Sequence, residues 1–282
     1  MILSRSPAPI PAPETLRSRA NPFYKRLRAL RDRSAASGLC LIEGPKLAQE
    51  AMAAGVALLE AAVSPRLEAT PAGAGALQAL HAHGVPVRRM AAELIASLSE
   101  AETSQGLVAL AKRPAFELEQ VLRGTPLVLV LDGVQNPGNL GAMLRSAEAA
   151  GATGALMGTG CADPLSWKAL RGSMGSAFRL PHVAGLAMGE VLDMLAARGI
   201  RVLATASDGE RRYHEVDFRG PVAIVMGREG SGLAPAVKQR AVARLRIPLA
   251  APVESLNVGV AAALVLFEAA RQRGFAGRPA PG

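Results

Sequence analysis

An asparagine and an arginine follow closely on an unbroken apolar run in LVLVLDGVQNPGNLGAMLRSAEAAG, residues 127–151. An amide both donates and accepts hydrogen bonds, and a guanidinium only donates, so the pair suits holding a polar or anionic ligand. The unbroken LVLVL run predicts a parallel strand covered on both faces, leaving the sheet at Asp132 and Gly133. Asn136, Pro137 and Gly138 make the turn. A helix over 139–150 follows, with Leu140, Met143, Leu144 and Ala147 at i, i+3, i+4 and i+7 and with Asn139 as its N-cap. Arg145 then lies almost opposite the apolar stripe. Two readings stay open for this segment alone: a cap and a solvated surface cation, or part of a site at a strand end.

Two later segments repeat the pattern of apolar strand and polar loop. VAIVMGREGSGL, residues 222–233, ends a strand in Gly227, Arg228, Glu229, Gly230, Ser231 and Gly232, where glycine allows a ligand close to the backbone. The loop lacks the Gly-Lys-Ser/Thr ending of a phosphate-cradling loop, and no G-x-G-x-x-G follows a strand elsewhere. In RLRIPLAAPVESLNVGVAAALVLFEAARQR, residues 244–273, a short strand and a proline-marked loop lead to a helix over 256–272 with Ser255 as its N-cap. From Leu256 to Phe267 the one polar side chain is Asn257, which predicts a helix buried nearly all round, in the core or against another subunit. Inside such a helix Asn257 must find partners or cost about 1 to 3 kcal/mol.

The elements that position these loops alternate along the chain. Strands are expected at 127–131, 154–158, 201–206 and 222–226, with helices near 139–150, 164–171, 189–198 and 256–272. Upstream, GLCLIEG, VALLEAAVS and VPVRRM read as strands, and PKLAQEAMAAG and GALQALHAHG as helices, making a small α/β domain. The expected division is a disordered leader at 1–16, an N-terminal domain at 17–112, a linker at 113–124, a second domain at 125–275 and a flexible tail at 276–282.

With 32 Lys and Arg against 23 Asp and Glu, the net charge of +9 favours polyanionic partners. The charge concentrates in Arg17, Arg19, Lys25, Arg26, Arg28, Arg31 and Arg33, against Asp32 alone. Such a run is either a solvated helix face or a phosphate-contacting one. The two cysteines, Cys40 and Cys161, have no partners at ligand spacing, so neither a disulfide framework nor a metal site is indicated, and a reducing, cytoplasmic setting is expected. The proline-rich start has no apolar core for a signal peptide, and no run is long enough for a membrane span.

The segments DGVQNPGNLGAMLRSAEAAG, MGREGSGL and IPLAAPVESLNVGVAAALVLFE resemble, in order and spacing, the three signature motifs of the SpoU (TrmH) RNA methyltransferases of the SPOUT superfamily. DPLSWKALRGSMGSAFRLP resembles the connecting segment, and RSRANPFYKRLRAL with LIEGPKLAQEA is similar to the family's N-terminal RNA-binding domain, itself like a small ribosomal protein. The resemblance implies an α/β fold in which a SPOUT-type parallel-sheet domain with a trefoil knot follows that small domain. It implies methyl transfer from S-adenosyl-L-methionine to a ribose 2′-hydroxyl of RNA, ribosomal RNA being favoured over transfer RNA, by a homodimer with no membrane attachment. Asn139, Arg145, Glu229, Ser255 and Asn257 are implied to gather at the active site, with Gly227, Ile247 and Leu256 among the cofactor contacts. Arg19, Asn21, Lys25, Arg26, Arg28 and Lys46 are the candidate RNA contacts.

Three positions depart from the family pattern: Arg228 where asparagine is frequent, Gly259 where serine is usual, and Trp167 where proline is common. A guanidinium donates rather than accepts, so Arg145 is expected to bind RNA phosphate and lower the effective pKa of the hydroxyl, the other site residues positioning it. Aromatic residues are only 3% of the chain, so charge and RNA shape are expected to outweigh base stacking. The competing reading is a noncatalytic RNA-binding ribosome-assembly factor on the same scaffold.

Overall fold

A computed structural model describes residues 15–33, 37–99 and 103–275. The expected leader, apart from 15–16, and the expected tail lie outside the described residues. The first helix, α1 (Pro22–Arg33), precedes β1 (Leu39–Glu43), α2 (Pro45–Ala53), β2 (Leu58–Val63), α3 (Pro65–Glu68), α4 (Pro71–Ala82), β3 (Val87–Arg89), α5 (Ala92–Leu98) and β4 (Leu107–Lys112). Their strands form one sheet in the order β1-β4-β2-β3, with β4 antiparallel to both neighbours. Period-two alternation divides its side chains. Cys40, Ile42, Ala61, Val63, Leu107 and Ala109 face α2 and α4, whereas Leu41, Ala62, Val108 and Leu110 face α1 and α5. Strand β4 has no decisive signal in sequence, because a short apolar run such as LVALA fits a buried helix as well as a strand.

A short helix α6 (Leu118–Val121) follows, opened by a capping box of Glu117 and Gln120. Val121 is fully buried, so the expected linker packs onto the fold. The second half runs β5 (Leu127–Leu131), α7 (Pro137–Ala149), β6 (Gly154–Gly158), α8 (Trp167–Ser173), α9 (Ser176–Arg179), β7 (His182–Leu186), α10 (Met188–Ala197) and β8 (Arg201–Thr205). It continues with β9 (Arg211–Arg212), β10 (Val222–Met226), α11 (Pro235–Arg240), β11 (Ala243–Arg246) and α12 (Val258–Gln272). These strands form a seven-stranded sheet in the order β7-β6-β5-β10-β8-β11-β9, every pair parallel. The alternating faces are both buried, as parallel sheets require: α7, α8 and α12 cover one, α6, α10 and α11 the other.

Chain order reverses between β5 and β10. From β5 the chain steps outward to β6 and β7, then crosses to β8 on the far side, so the connections leaving β5 and β10 diverge and leave a crevice at their carboxyl ends. The register Leu131 opposite Met226 brings both polar loops to that point.

The two halves meet over a packed surface. Trp167, at the start of α8, is only 7% exposed and joins Phe23, Tyr24, Leu27, Leu41 and Leu110 of the first half. Arg179 donates to Glu148 at 2.7 and 2.9 Å and to Glu50 at 2.5 Å, and Arg113 donates to Asp163 at 2.9 and 2.5 Å. Lys46, donating to Glu50, holds its carboxyl below the ordinary range, with Arg179 adding to the effect. One apolar cluster continues from Ile42 and Leu47 through Leu129 and Leu140 to Leu266.

The final helix is buried on one side only within this chain. Val258, Ala262, Val265, Leu266 and Ala269 are buried, but Val260, Leu264 and Phe267 are 50, 38 and 43% exposed. Their i, i+4, i+7 spacing makes an apolar stripe with no cover among the described residues.

Candidate functional site

The two helices that enter the crevice are both capped by asparagine, and neither cap is the residue that sequence reasoning selects. Asn136, not Asn139, caps α7: its Oδ1 accepts from the Gly138 and Asn139 amides at 2.8 and 3.1 Å. Pro137 at the first helical position is the signal that locates it, since proline is pre-set for that place and the cap precedes it. Asn257, not Ser255, caps α12, its Oδ1 accepting from the Gly259 and Val260 amides at 2.9 and 3.3 Å. Ser255 is exposed and lies outside the helix.

Released from capping, the Asn139 side chain joins three motifs. Its Nδ2 donates to Glu229 Oε1, and its Oδ1 accepts from Asn257 Nδ2 at 3.2 Å. A carboxylate only accepts, and Asn257 has committed its oxygen to helix amides, so the network fixes which way both amides point. Sequence reasoning expects Asn257 to find partners in a buried helix; it finds them at an exposed helix end instead.

Around this chain the loops are tightly folded. A Cβ on Gly227 would lie 2.5 Å from the Gly232 carbonyl carbon, and the loop closes by reciprocal Arg228 and Gly232 backbone bonds of 3.2 and 3.0 Å. The Arg228 side chain crosses Gly133, where any Cβ would strike its Nε, and reaches towards Gly160. Gly133 has φ 72°, so both its conformation and its lack of a side chain are required. Arg145 is exposed on α7, as its position opposite the apolar stripe predicts, and makes no hydrogen bond or ion pair among the described residues. Nearby Cys161 donates its thiol to the Leu131 carbonyl at 3.3 Å, and burial pushes that thiol up, which leaves it protonated and unsuited to nucleophilic work.

Residues 247–256 make an open loop between β11 and α12. Among the described residues its one internal backbone bond runs from the Val253 amide to Ala250 at 3.1 Å. Ile247 and Leu256 are half-buried, and Leu249 and Val253 are 38 and 54% exposed. Uncommitted peptide groups beside apolar side chains suit a nucleoside, which needs a flat apolar surface and hydrogen bonds at its edges.

The candidate RNA contacts lie apart from this network, in the first half. Lys25, Arg26 and Arg28 are exposed on α1, whose opposite face buries Phe23, Tyr24, Leu27 and Leu30. Arg19 is exposed, Asn21 gives its Oδ1 to the Phe23 amide at 2.9 Å, and Lys46 pairs with Glu50 at 2.8 Å. Sequence reasoning does not single out Lys168 and Arg171, at i and i+3 on α8, which line a basin beside the α7 cap. Their spacing within the connecting segment is the available signal.

Two stretches of the chain match known protein families. Residues 126–267 match the model of the SpoU rRNA Methylase family, and residues 21–109 match that of the MRM3-like substrate binding domain. An uncharacterized tRNA/rRNA methyltransferase of Synechocystis sp. is 33% identical over 272 residues, covering 94% of this chain and 96% of the relative. A 23S rRNA (guanosine-2′-O-)-methyltransferase, RlmB, of Ralstonia nicotianae is 37% identical over 202 residues, 70% of this chain and 81% of its own. Among solved structures, the SpoU methyltransferase AviRb of Streptomyces viridochromogenes, in complex with AdoMet, superposes with a TM-score of 0.80 at 30% identity, covering 92% of this chain and all of that one.

Proposed function

Because the chain belongs to the SpoU rRNA methylase family, we propose that it methylates a ribose 2′-hydroxyl of ribosomal RNA using S-adenosyl-L-methionine. The observation that carries this reading is the Glu229–Asn139–Asn257 chain, which ties all three motifs together at the β5/β10 crevice.

Gly227, Ile247 and Leu256 would hold the cofactor, the open 247–256 loop supplying backbone hydrogen bonds and apolar side chains to its adenosine. When bound, S-adenosylmethionine supplies an electrophilic methyl group on a sulfonium. The ribose 2′-oxygen would receive that methyl group, leaving S-adenosylhomocysteine, with the hydroxyl proton passing to solvent water. Holding the two reactants in line is the larger part of the task, since orientation alone is worth about 7 to 11 kcal/mol. Glu229, Asn139 and Asn257 fix the walls of the crevice, and Ser255 adds a hydroxyl beside them. Arg145, with no partner in its own chain among the described residues, binds RNA phosphate and stabilises charge developing on the 2′-oxygen. Arg19, Asn21, Lys25, Arg26, Arg28 and Lys46 contact the RNA further away.

The working form is a homodimer in the cytoplasm. The uncovered stripe of Val260, Leu264 and Phe267 supports a second copy packed on α12, which also brings a partner surface to neighbouring α7 and Arg145. Return of the chain from β11, two places beyond β10, to α12 packed on α7 and β10 supports a trefoil knot through the 247–257 segment. Among the described residues no helix is long and apolar enough to cross a membrane.

Mapping 2′-O-methyl sites in total RNA with and without this gene tests the reading. Loss of one ribosomal site is expected; an unchanged map, with no S-adenosylmethionine binding by calorimetry, would favour the noncatalytic assembly factor. An Arg145→Lys enzyme with wild-type single-turnover rates would refute the role given to Arg145.

A further inference from the structure

Beside the α7 cap lies an open basin of about 480 Å³, bounded by Asn136, Pro137 and Gly138 on one side and by Lys168, Arg171 and Gly172 of α8 on the other. Its volume is that of a ligand pocket, about 300 to 1,000 Å³, rather than of an ion site. Its lining carries two cations, Lys168 and Arg171. The positive end of the 13-residue helix α7 faces it, but Asn136 already satisfies the Gly138 and Asn139 amides, so a ligand must be held by the side chains of α8.

The helix that carries those side chains is firmly placed. Helices α7 and α8 cross with almost no space between them: a Cβ on Gly172 would lie 2.9 Å from the Gly138 carbonyl oxygen, and one on Gly141 would strike that of Ala169. One residue before Lys168, Trp167 is buried in the apolar cluster that also holds Phe23, Tyr24 and Leu27 of α1. Helix α8 therefore links the basic helix to the basin, and the basin adjoins Asn139.

We propose that this basin binds a phosphodiester of the substrate RNA next to the target ribose, with Arg171 as a forked donor and Lys168 as a point charge. This rests on the methyltransferase reading. An anionic polymer fits better than a free nucleotide, because the basin is open and adjoins the residue before Asn139.

The test uses the full chain and total bacterial RNA as the probe. The variant Lys168→Ala/Arg171→Ala changes two exposed side chains, and Arg219→Ala, in an exposed pair with Asp217, serves as the control. RNA affinity is measured between about 50 and 200 mM salt, and methyl transfer in single turnover at saturating RNA. The double variant should lose about 0.7 to 0.9 from the slope of log affinity against log salt for each phosphate contact removed. Its transfer rate should fall about tenfold or more, as expected when charge-assisted hydrogen bonds are lost, with S-adenosylmethionine binding and melting temperature unchanged. An unchanged slope, or an unchanged transfer rate, overturns the proposal. Failure of the wild-type chain to methylate any RNA overturns the underlying reading instead, and the salt slopes still decide whether the basin binds phosphate.

Discussion

Replacing Asn257 separates two jobs done by one side chain. Its Oδ1 caps α12 through the Gly259 and Val260 amides, and its Nδ2 donates to Asn139 Oδ1 at 3.2 Å. Asn257→Ala removes both. Loss of the cap costs about 1 kcal/mol, and the solvent-accessible side-chain bond adds about 0.5 to 1 kcal/mol, for a total of about 1.5 to 2 kcal/mol. In a chain of this size that lowers the melting temperature by about 3 to 8 °C. Asn257→Asp keeps the acceptor and places a negative charge at a helix N-terminus, which offsets the lost bond by about 0.3 to 1 kcal/mol. Its stability should stay within about 1 kcal/mol of wild type. The introduced carboxylate nevertheless has no donor for Asn139. If Asn139 turns its Nδ2 towards that carboxylate, its oxygen faces Glu229, so either orientation leaves two acceptors opposed. Methyl transfer should then fall at least tenfold in a protein that melts normally. Thermal melts and single-turnover methylation, run on both variants, decide the matter. The reasoning fails if Asn257→Asp is as unstable as Asn257→Ala, or if it is fully active.

Three further outcomes follow from packing and titration. Alanine normally improves a helix interior by about 1 kcal/mol over glycine, but Gly141→Ala should destabilise by about 1 to 3 kcal/mol, because its Cβ meets the α8 backbone; a higher melting temperature would refute the close crossing. Trp167→Ala should cost about 3 to 5 kcal/mol, whereas Trp167→Phe should stay within about 1 to 2 kcal/mol, since the buried indole Nε1 has no hydrogen-bond partner among the described residues to lose; equal costs in calorimetry would contradict this. Burial holds the His182 imidazole below its ordinary 6.5, so below that pH the unfolded chain takes up a proton that the fold resists. Its contribution is complete above pH 6.5 and is lost as pH falls towards the folded value, by at most about 1.4 kcal/mol per pH unit. Melting curves at about pH 7.5 and 5.5 should show this loss in wild type and not in His182→Gln.

The parts of the fold that are legible in sequence are those with one dominant pattern. The runs at 127–131, 154–158 and 222–226 are strands with those bounds, because a parallel strand buried on both faces leaves an unbroken apolar string. The edge strand β7 carries no such string, since its residues Val183 to Leu186 are only partly covered. Helix starts are ambiguous where two capping residues compete nearby: Asn136 outdoes Asn139, and Asn257 outdoes Ser255. That displacement frees Asn139 for the network with Glu229 and Asn257, which no spacing rule describes, because it joins residues 90 and 118 positions apart. The uncovered stripe on α12 is equally illegible, since an apolar residue facing a partner and one facing the core read alike in sequence.

The burial of Trp167 in the first half bears on how such a protein could acquire a new target. A binding half joined only by a tether can be exchanged by recombination at the tether, and each new pairing folds as its parts did. Here the incoming half must also offer a socket like that of Phe23, Tyr24, Leu27, Leu41 and Leu110 for the indole, a carboxylate where Glu50 meets Arg179, and a cation where Arg113 meets Asp163. A chimera cut at residues 113–124 without those features would expose a large aromatic ring and leave two charged groups short of a partner. If the outer face of α1 contacts RNA as proposed above, change of target in this architecture is therefore easier by point substitution there than by wholesale transplantation.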